Sequence, residues 1–406
     1  MTNAPLTTID DIRSAAERGK AVVMTTPLLP TATFSRMCGR DLWMKAENLQ
    51  RAGSFKIRGA MNAVSQLDDA TRARGVVAAS AGNHAQGVAL AATTLGITST
   101  VFMPLAAPIP KIDATRQYGA EVRLVGANIG EAVDAANELA ADTGATFIHP
   151  YDDDAIVAGQ GTLGLELVEQ MPEPGTVVIP VGGGGLAAGT AAAIKALNPA
   201  VRVVGVEAEA TATYVASRAA GTPTPVEPRF TLADGIAVSR PSALVFDHLE
   251  AFVDDLVTVD DGQMTRAVAL LLERAKFLVE PSGAAPLAAV LDGLVADHPG
   301  PTVLVLSGGN VDLLLLDQVL RHGLEAAGRY GWMAVRVPDV PGELARITQL
   351  IADHGANVVD VDHLRAGIGL PFGYTEIRFS VETRDPGQFD EVCDALETAG
   401  VEVLRQ

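Results

Sequence analysis

The chain is poor in cysteine, in positive charge and in long apolar runs, and each shortage excludes a class of protein. Its two cysteines, Cys38 and Cys393, stand far apart and fit no metal-ligand spacing. They read as free thiols of a reducing compartment, which excludes a disulfide scaffold and makes a cytoplasmic location the expectation. Lys and Arg number 30 against 49 Asp and Glu, for a net charge of -19, and no basic run occurs. Nucleic acid and anionic membrane surfaces need clustered positive charge, so neither is an expected partner. No apolar run approaches the ~20 residues that span a bilayer. Asp10 and Asp11 stand where a secretory signal would carry basic residues, so no signal is expected. No cluster of His, Cys, Asp and Glu has ligand spacing, and no metal is expected.

Hydrophobic residues make up 48% of the chain, with 40 glycines and 23 prolines. That suits a folded α/β protein with many tight turns, long enough for two or three domains. Residues 8–19 predict a first helix with Thr8 as its cap. From Val76 to Ile148 short apolar strands alternate with helices, so residues 45–150 predict one parallel α/β lobe. A second lobe repeats the alternation through the strands Val177–Val181, Val203–Glu207, Leu256–Val259 and Thr302–Leu306. Composition shifts after Gly328, and residues 332–405 read strand, helix, strand, strand, helix, strand. This βαββαβ order is ferredoxin-like. The domains expected are 1–325 and 330–406.

The chain is organised around Gly53-Ser54-Phe55-Lys56-Ile57-Arg58-Gly59-Ala60. A polar turn gives way there to an apolar-periodic run of Ile57, Ala60, Met61, Val64 and Leu67, which reads as a helix start. Lys56 then sits at the positive end of a helix dipole, flanked by Phe55 and Ile57. Dipole and desolvation both disfavour its ammonium form. A neutral lysine is what covalent capture of a carbonyl cofactor requires. The bland reading is a lysine snorkelling from a helix end.

Three downstream segments bear on that choice. Gly182-Gly183-Gly184-Gly185-Leu186 joins a β-branched strand to a helix. Glycines let the backbone approach an anion closely, and the helix start adds its dipole, so the run reads as a phosphate cradle. It lacks a Walker lysine and the GxGxxG spacing, which favours a small phosphorylated cofactor over a nucleotide. Ser80-Ala81-Gly82-Asn83-His84 lies where a strand meets a helix, at the edge where open α/β folds bind ligands. Ser80 or Asn83 could equally be plain N-caps. Ser307-Gly308-Gly309-Asn310 closes another buried strand; alone it would read as a turn. His84 and His149 read as packed or hydrogen-bonded side chains.

Together these four motifs, in this order, resemble threonine dehydratases (threonine ammonia-lyases) of the tryptophan-synthase-β type of pyridoxal-phosphate enzymes. The resemblance covers residues 8–325. The tail, with Asp339-Val340-Pro341-Gly342-Glu343-Leu344 and Gly355-Ala356-Asn357-Val358, resembles an ACT domain. It implies a two-lobed tryptophan-synthase-β-like α/β fold with open parallel sheets, plus an α+β ACT domain. It implies pyridoxal 5'-phosphate as cofactor. Lys56 would bind it covalently and shuttle the α-proton, with Phe55 beside the ring, Asn83 on its 3-hydroxyl and Ser307 on its nitrogen. Gly182, Gly183, Gly184, Gly185 and Leu186 would hold its phosphate. Ser54 and the loop Ser80, Ala81, Gly82 and His84 would take the substrate. Asp339, Gly342 and Asn357 are the expected effector residues, the family's biosynthetic forms answering to isoleucine and valine.

Related serine racemases place a serine where this chain has Ala81, so racemization is not expected. Some relatives hold a divalent ion with a glutamate matching Glu207 and an aspartate six residues on; here that position is Thr213. The expected reaction is β-elimination from L-threonine to 2-oxobutanoate and ammonia, slower with L-serine, regulated by an amino-acid effector in a homodimer or homotetramer. The alternatives are an L-serine dehydratase, a β-replacement enzyme and a non-catalytic amino-acid sensor.

Overall fold

The computed structural model describes residues 5–326, 328–365 and 370–405. They divide into two compact units, Met1–Leu315 and Leu316–Gln406, the division falling inside the helix Leu313–Ala326.

The first unit holds two sheets. Its strands are β1 (Leu28–Pro30), β2 (Leu42–Lys45), β3 (Val76–Ala79), β4 (Ser99–Met103), β5 (Glu121–Leu124), β6 (Thr146–Phe147), β7 (Thr176–Pro180), β8 (Arg202–Ala208), β9 (Asp255–Val259) and β10 (Thr302–Val305). The smaller sheet has the order β5-β4-β3-β6 and is parallel throughout. The larger has the order β1-β2-β10-β7-β8-β9 and is parallel except for β1. β3, β7 and β10 are buried at every residue, as strands covered by helices on both faces must be. The first helix, Ile9–Gly19, starts at Thr8 in a capping box with Asp11.

The helix that begins at Lys56, Lys56–Ser65, departs from the amphipathic expectation. It is buried from Ile57 to Val64, polar positions included, and Leu67 lies beyond its end. A helix covered all round must satisfy its polar side chains internally. Arg58 does so by donating Nε and Nη2 to the two carboxylate oxygens of Glu47, both at 2.7 Å, and Nη2 to Glu166 at 2.7 Å. Lys45 also pairs with Glu166. Two buried cations thus meet two carboxylates beneath the lysine. Asn62 donates to the Ala155 carbonyl and accepts from Arg18.

Two further helices, Thr213–Ala220 and Ala243–Phe252, fill a stretch for which no element was expected. The helix Asp154–Gln170 starts at Asp153, whose side chain caps it. The α-helix Asp261–Leu270 runs on into a π-helical turn over Leu271–Ala275.

The second unit has strands β11 (Tyr330–Pro338), β12 (Asn357–Leu364), β13 (Tyr374–Glu382) and β14 (Glu402–Arg405), antiparallel in the order β12-β13-β11-β14. The helices Glu343–Asp353 and Pro386–Thr398 complete the βαββαβ pattern. Met333, Val335, Ile347, Ile351, Ile377, Phe379, Val392 and Leu396 form its core. Cys393 is buried among them and Cys38 is half-buried; both are free.

Candidate active site

Lys56 is the first residue of its helix, with Phe55 at the N-cap. Its Nζ donates to the Pro150 carbonyl at 3.0 Å and lies 5.1 Å from the Phe55 ring centroid. Desolvation pulls its pKa down to about 8, and the nearby Glu280 carboxylate opposes that pull. The residue after Pro150 carries the amine to the glycine run. The Tyr151 ring lies on Gly183, where a Cβ would come within 2.6 Å of ring carbon Cε1. Only glycine admits so close an approach.

The run Gly182 to Leu186 links β7 to the helix Gly185–Leu197. That helix starts at Gly184, left-handed at φ 80° and without a side-chain cap. Its first N–H groups are therefore left to an outside acceptor. From behind, the Tyr214 hydroxyl donates to the Gly183 carbonyl at 3.0 Å and accepts from the Ser242 backbone at 3.2 Å.

The helix Asn83–Thr94 also begins without a side-chain cap, at Gly82. Neither Ser80 nor Asn83 is its cap: the Ser80 hydroxyl accepts from the Gly82 N–H at 3.1 Å. Ala81 lies between them. The His84 side chain is buried with Nε2 on the Ile148 carbonyl at 2.8 Å. Burial holds it neutral, with its pKa down to about 3. Its imidazole is thus committed to a main-chain carbonyl, in line with the packed, hydrogen-bonded reading of this side chain.

The lysine and serine motifs are zipped together. Phe55 N–H donates to the Ser307 carbonyl at 3.1 Å, and Ser54 bridges Gly308 as an isolated antiparallel pair. Ser54 is buried, and its hydroxyl has no hydrogen-bond partner in the protein. A buried orphan beside a buried amine marks a position built for a ligand. Asn83 Nδ2 donates to Glu280 Oε1 at 2.8 Å. Burial pushes Glu280 up to about 8, Asp234 adding to the rise and Lys111 opposing it. Lys111 and Asp234 are ion-paired beside a cavity of about 250 Å³ that Glu280 and Asn310 also line.

Glu207 is committed elsewhere. Its carboxylate oxygens accept from Tyr214 N–H at 2.9 Å and Val215 N–H at 2.7 Å, at the start of the helix Thr213–Ala220. Among the described residues no group of three or more His, Cys, Asp or Glu side chains could hold a metal ion. In the second unit Asp339 and Gly342 lie at one end of the helix Glu343–Asp353, which Gly342 opens without a side-chain cap. Asn357 begins β12 beyond the other end, where its amide donates to Glu382 at 3.4 Å. Eleven helical residues separate the two ends by roughly 16 Å, so one chain alone does not bring these three together.

Sequence reasoning singled out neither Tyr151, Tyr214, Glu280 nor the Arg58 network. The partners that place them in the site lie as far as 197 residues away along the chain. Arg58 alone carried a local signal, as a charge inside an otherwise apolar helix start.

The sequence profile of pyridoxal-phosphate dependent enzymes matches residues 21–308, and that of the ACT domain matches residues 333–401. The chain belongs to this family of pyridoxal-phosphate enzymes and carries a C-terminal ACT domain. It is 44% identical to an L-threonine ammonia-lyase of Thermotoga maritima over 98% of both chains. Among solved structures it is similar to threonine deaminase isoform 2 of Solanum lycopersicum, at 33% identity and a TM-score of 0.72, covering 78% of this chain and 95% of that one. It is also similar to maize serine racemase, at 37% identity and a TM-score of 0.75, covering 79% and 99%. The residues present fit the cofactor: the uncapped helix starts suit its phosphate, and the Lys56 amine suits its aldehyde.

Proposed function

We propose that this protein is a pyridoxal-phosphate-dependent L-threonine ammonia-lyase that releases 2-oxobutanoate and ammonia. The observation that carries the reading is the Lys56 amine, lowered to about 8 and held one residue from the tyrosine that packs on the glycine run. When bound, the cofactor draws electron density from the substrate's α-carbon. Lys56 would hold it through its amine, and the same amine, with its pKa lowered to about 8, could accept a proton from the substrate's α-carbon. Backbone N–H groups of Gly182, Gly183, Gly184, Gly185 and Leu186 bind its phosphate. Phe55 would flank the ring and Asn83 would donate to the ring oxygen. Ser307 would offer the ring nitrogen a neutral hydroxyl in place of a carboxylate, chemistry that would suit elimination better than transamination. Ser54 and the N–H groups from Ser80 to His84 take the substrate carboxylate.

Serine lacks one methyl of threonine, worth ~1–3 kcal/mol in a pocket, so L-serine turns over more slowly. The racemase likeness is answered at Ala81, which has no proton to deliver to the opposite face. Residues 330–406 bind an amino-acid effector near Asp339, Gly342 and Asn357. Because Asn357 stands apart from the other two within a chain, a second copy would complete that site, in keeping with a homodimer or homotetramer. No helix among the described residues is long and apolar enough to cross a membrane, and we place the enzyme in the cytoplasm. The test is steady-state turnover of L-threonine and L-serine, with and without isoleucine. Undiminished 2-oxobutanoate production by Lys56→Ala would overturn the assignment.

A further inference from the structure

Asn310 ends the fourth motif, and its side chain has no part in the roles given above. Its Nδ2 donates to the Ala52 carbonyl at 2.7 Å and to Asn83 Oδ1 at 2.9 Å, with Gln86 Oε1 further off at 3.3 Å. Asn83 in turn donates Nδ2 to Glu280 Oε1 at 2.8 Å. The orientation of an amide must be inferred from its partners, and here a main-chain group decides it. A backbone carbonyl can only accept, so the end of Asn310 that faces Ala52 must be the NH2. The remaining hydrogen of that NH2 then points at Asn83, whose facing end must be the oxygen. The Asn83 NH2 therefore faces the other way. One of its hydrogens goes to Glu280, and one is left over.

We propose that Asn310 and Glu280 are positioning residues that lock the Asn83 amide so that its one free N–H points to the cofactor's ring oxygen. The inference deepens the proposed function and rests on its placing of Asn83. The anchor is itself built into the lysine motif. Ala52 and Gly53 both have left-handed backbone, at φ 58° and 68°, which turns the Ala52 carbonyl toward Asn310. Asn310 packs directly on Gly53, where a Cβ would lie 2.9 Å from its Cγ and 3.0 Å from its Nδ2. The first and fourth motifs thus meet through a side chain whose only polar output is the Asn83 amide and its neighbour Gln86. A reversed Asn83 would set NH2 against NH2 at Asn310 and turn a lone pair toward the ring oxygen.

The experiment measures pyridoxal-phosphate dissociation constants of the apoenzyme by quenching of tryptophan fluorescence. Asn310→Asp is isosteric but can only accept, so it favours the reversed amide. It should weaken cofactor binding by roughly tenfold or more, as should Glu280→Leu, which removes an acceptor. Glu280→Gln keeps an acceptor and should stay within about threefold of wild type. In an Asn83→Ala background, Asn310→Asp and Glu280→Leu should each change affinity by less than about threefold, since nothing is left to orient. Equal losses in both backgrounds, or a loss in Glu280→Gln as large as in Glu280→Leu, would overturn the inference. No loss in Asn310→Asp while Asn83→Ala weakens binding would overturn it and leave the role of Asn83 standing. Unchanged binding by Asn83→Ala would instead sink the placing of Asn83 itself.

Discussion

Gly183→Ala tests whether the glycine run and the lysine form one site. The added Cβ would stand 2.6 Å from Tyr151 Cε1 and closer still to two other ring carbons. Carbon atoms settle at ≈ 3.5–4.0 Å, so ring or loop must give by more than ~1 Å. Overpacking of this kind costs ~1–3 kcal/mol. If the loop moves, its N–H groups leave the phosphate position, and the same energy appears as cofactor binding weakened roughly 5- to 150-fold. The assay is a pyridoxal-phosphate titration of the apoenzyme for wild type, Gly183→Ala, Tyr151→Ala and the double variant. Removing the ring removes the obstacle, so the double variant should bind within about threefold of Tyr151→Ala alone. Gly182→Ala serves as contrast. There the Cβ would meet main chain, 2.5 Å from Ile236 Cα, and Tyr151→Ala should rescue nothing. Wild-type affinity in Gly183→Ala, or a double variant as weak as the two losses combined, would refute the reasoning.

Three further outcomes follow from the same geometry. Glu166→Leu leaves Lys45 and Arg58 with only Glu47 between them. Breaking a buried pair this way costs ~3–5 kcal/mol, read as a lowered denaturant midpoint; an unchanged midpoint would show the network to be dispensable. The Glu280 pKa rises from 4.5 to about 8 in the folded apoprotein, so the fold holds a proton that the unfolded chain releases between those values. Its contribution to stability is full below 4.5 and is lost as pH climbs through 8. Thermal melts of the apoprotein should fall across that window, and Glu280→Gln should flatten the slope, part of which remains because Glu207 is raised to about 7. Deleting residues 330–406 should leave threonine turnover intact and abolish its response to isoleucine; a truncated enzyme that still responds would remove the sensor from the tail.

The parallel strands of both sheets and the whole βαββαβ order were legible, because short β-branched runs bounded by turns carry a local signal; the antiparallel β1 was not. The stretch between Ala208 and Asp255 was not. Its two helices are short, and the Gly/Pro-interrupted segment between them has no periodicity, so their formation rests on tertiary contacts such as Glu207 at the start of one and Tyr214 on Ser242. The helix Asp154–Gln170 carries Gly159 and Gly161, which lower helix propensity. In the structure they are contact points, Gly159 on Gly59 and Gly161 on Ile12. The site showed the same division. Lys56, the glycine run and the Ser307 turn stood out as local motifs, and their expected roles came from the resemblance carried by all four motifs together. Tyr151, Glu280 and the locking of Asn83 could not, since only the fold decides which distant side chain meets which amide.

The central claim is that the Lys56 amine captures pyridoxal phosphate, and it has a direct measurement. Purified enzyme is reduced with borohydride in the presence of the cofactor, digested, and the phosphopyridoxyl group is located by mass spectrometry. The account predicts a single stoichiometric adduct on the peptide containing Lys56, with loss of 2-oxobutanoate production. An adduct on another lysine, or none while activity survives reduction, would contradict it.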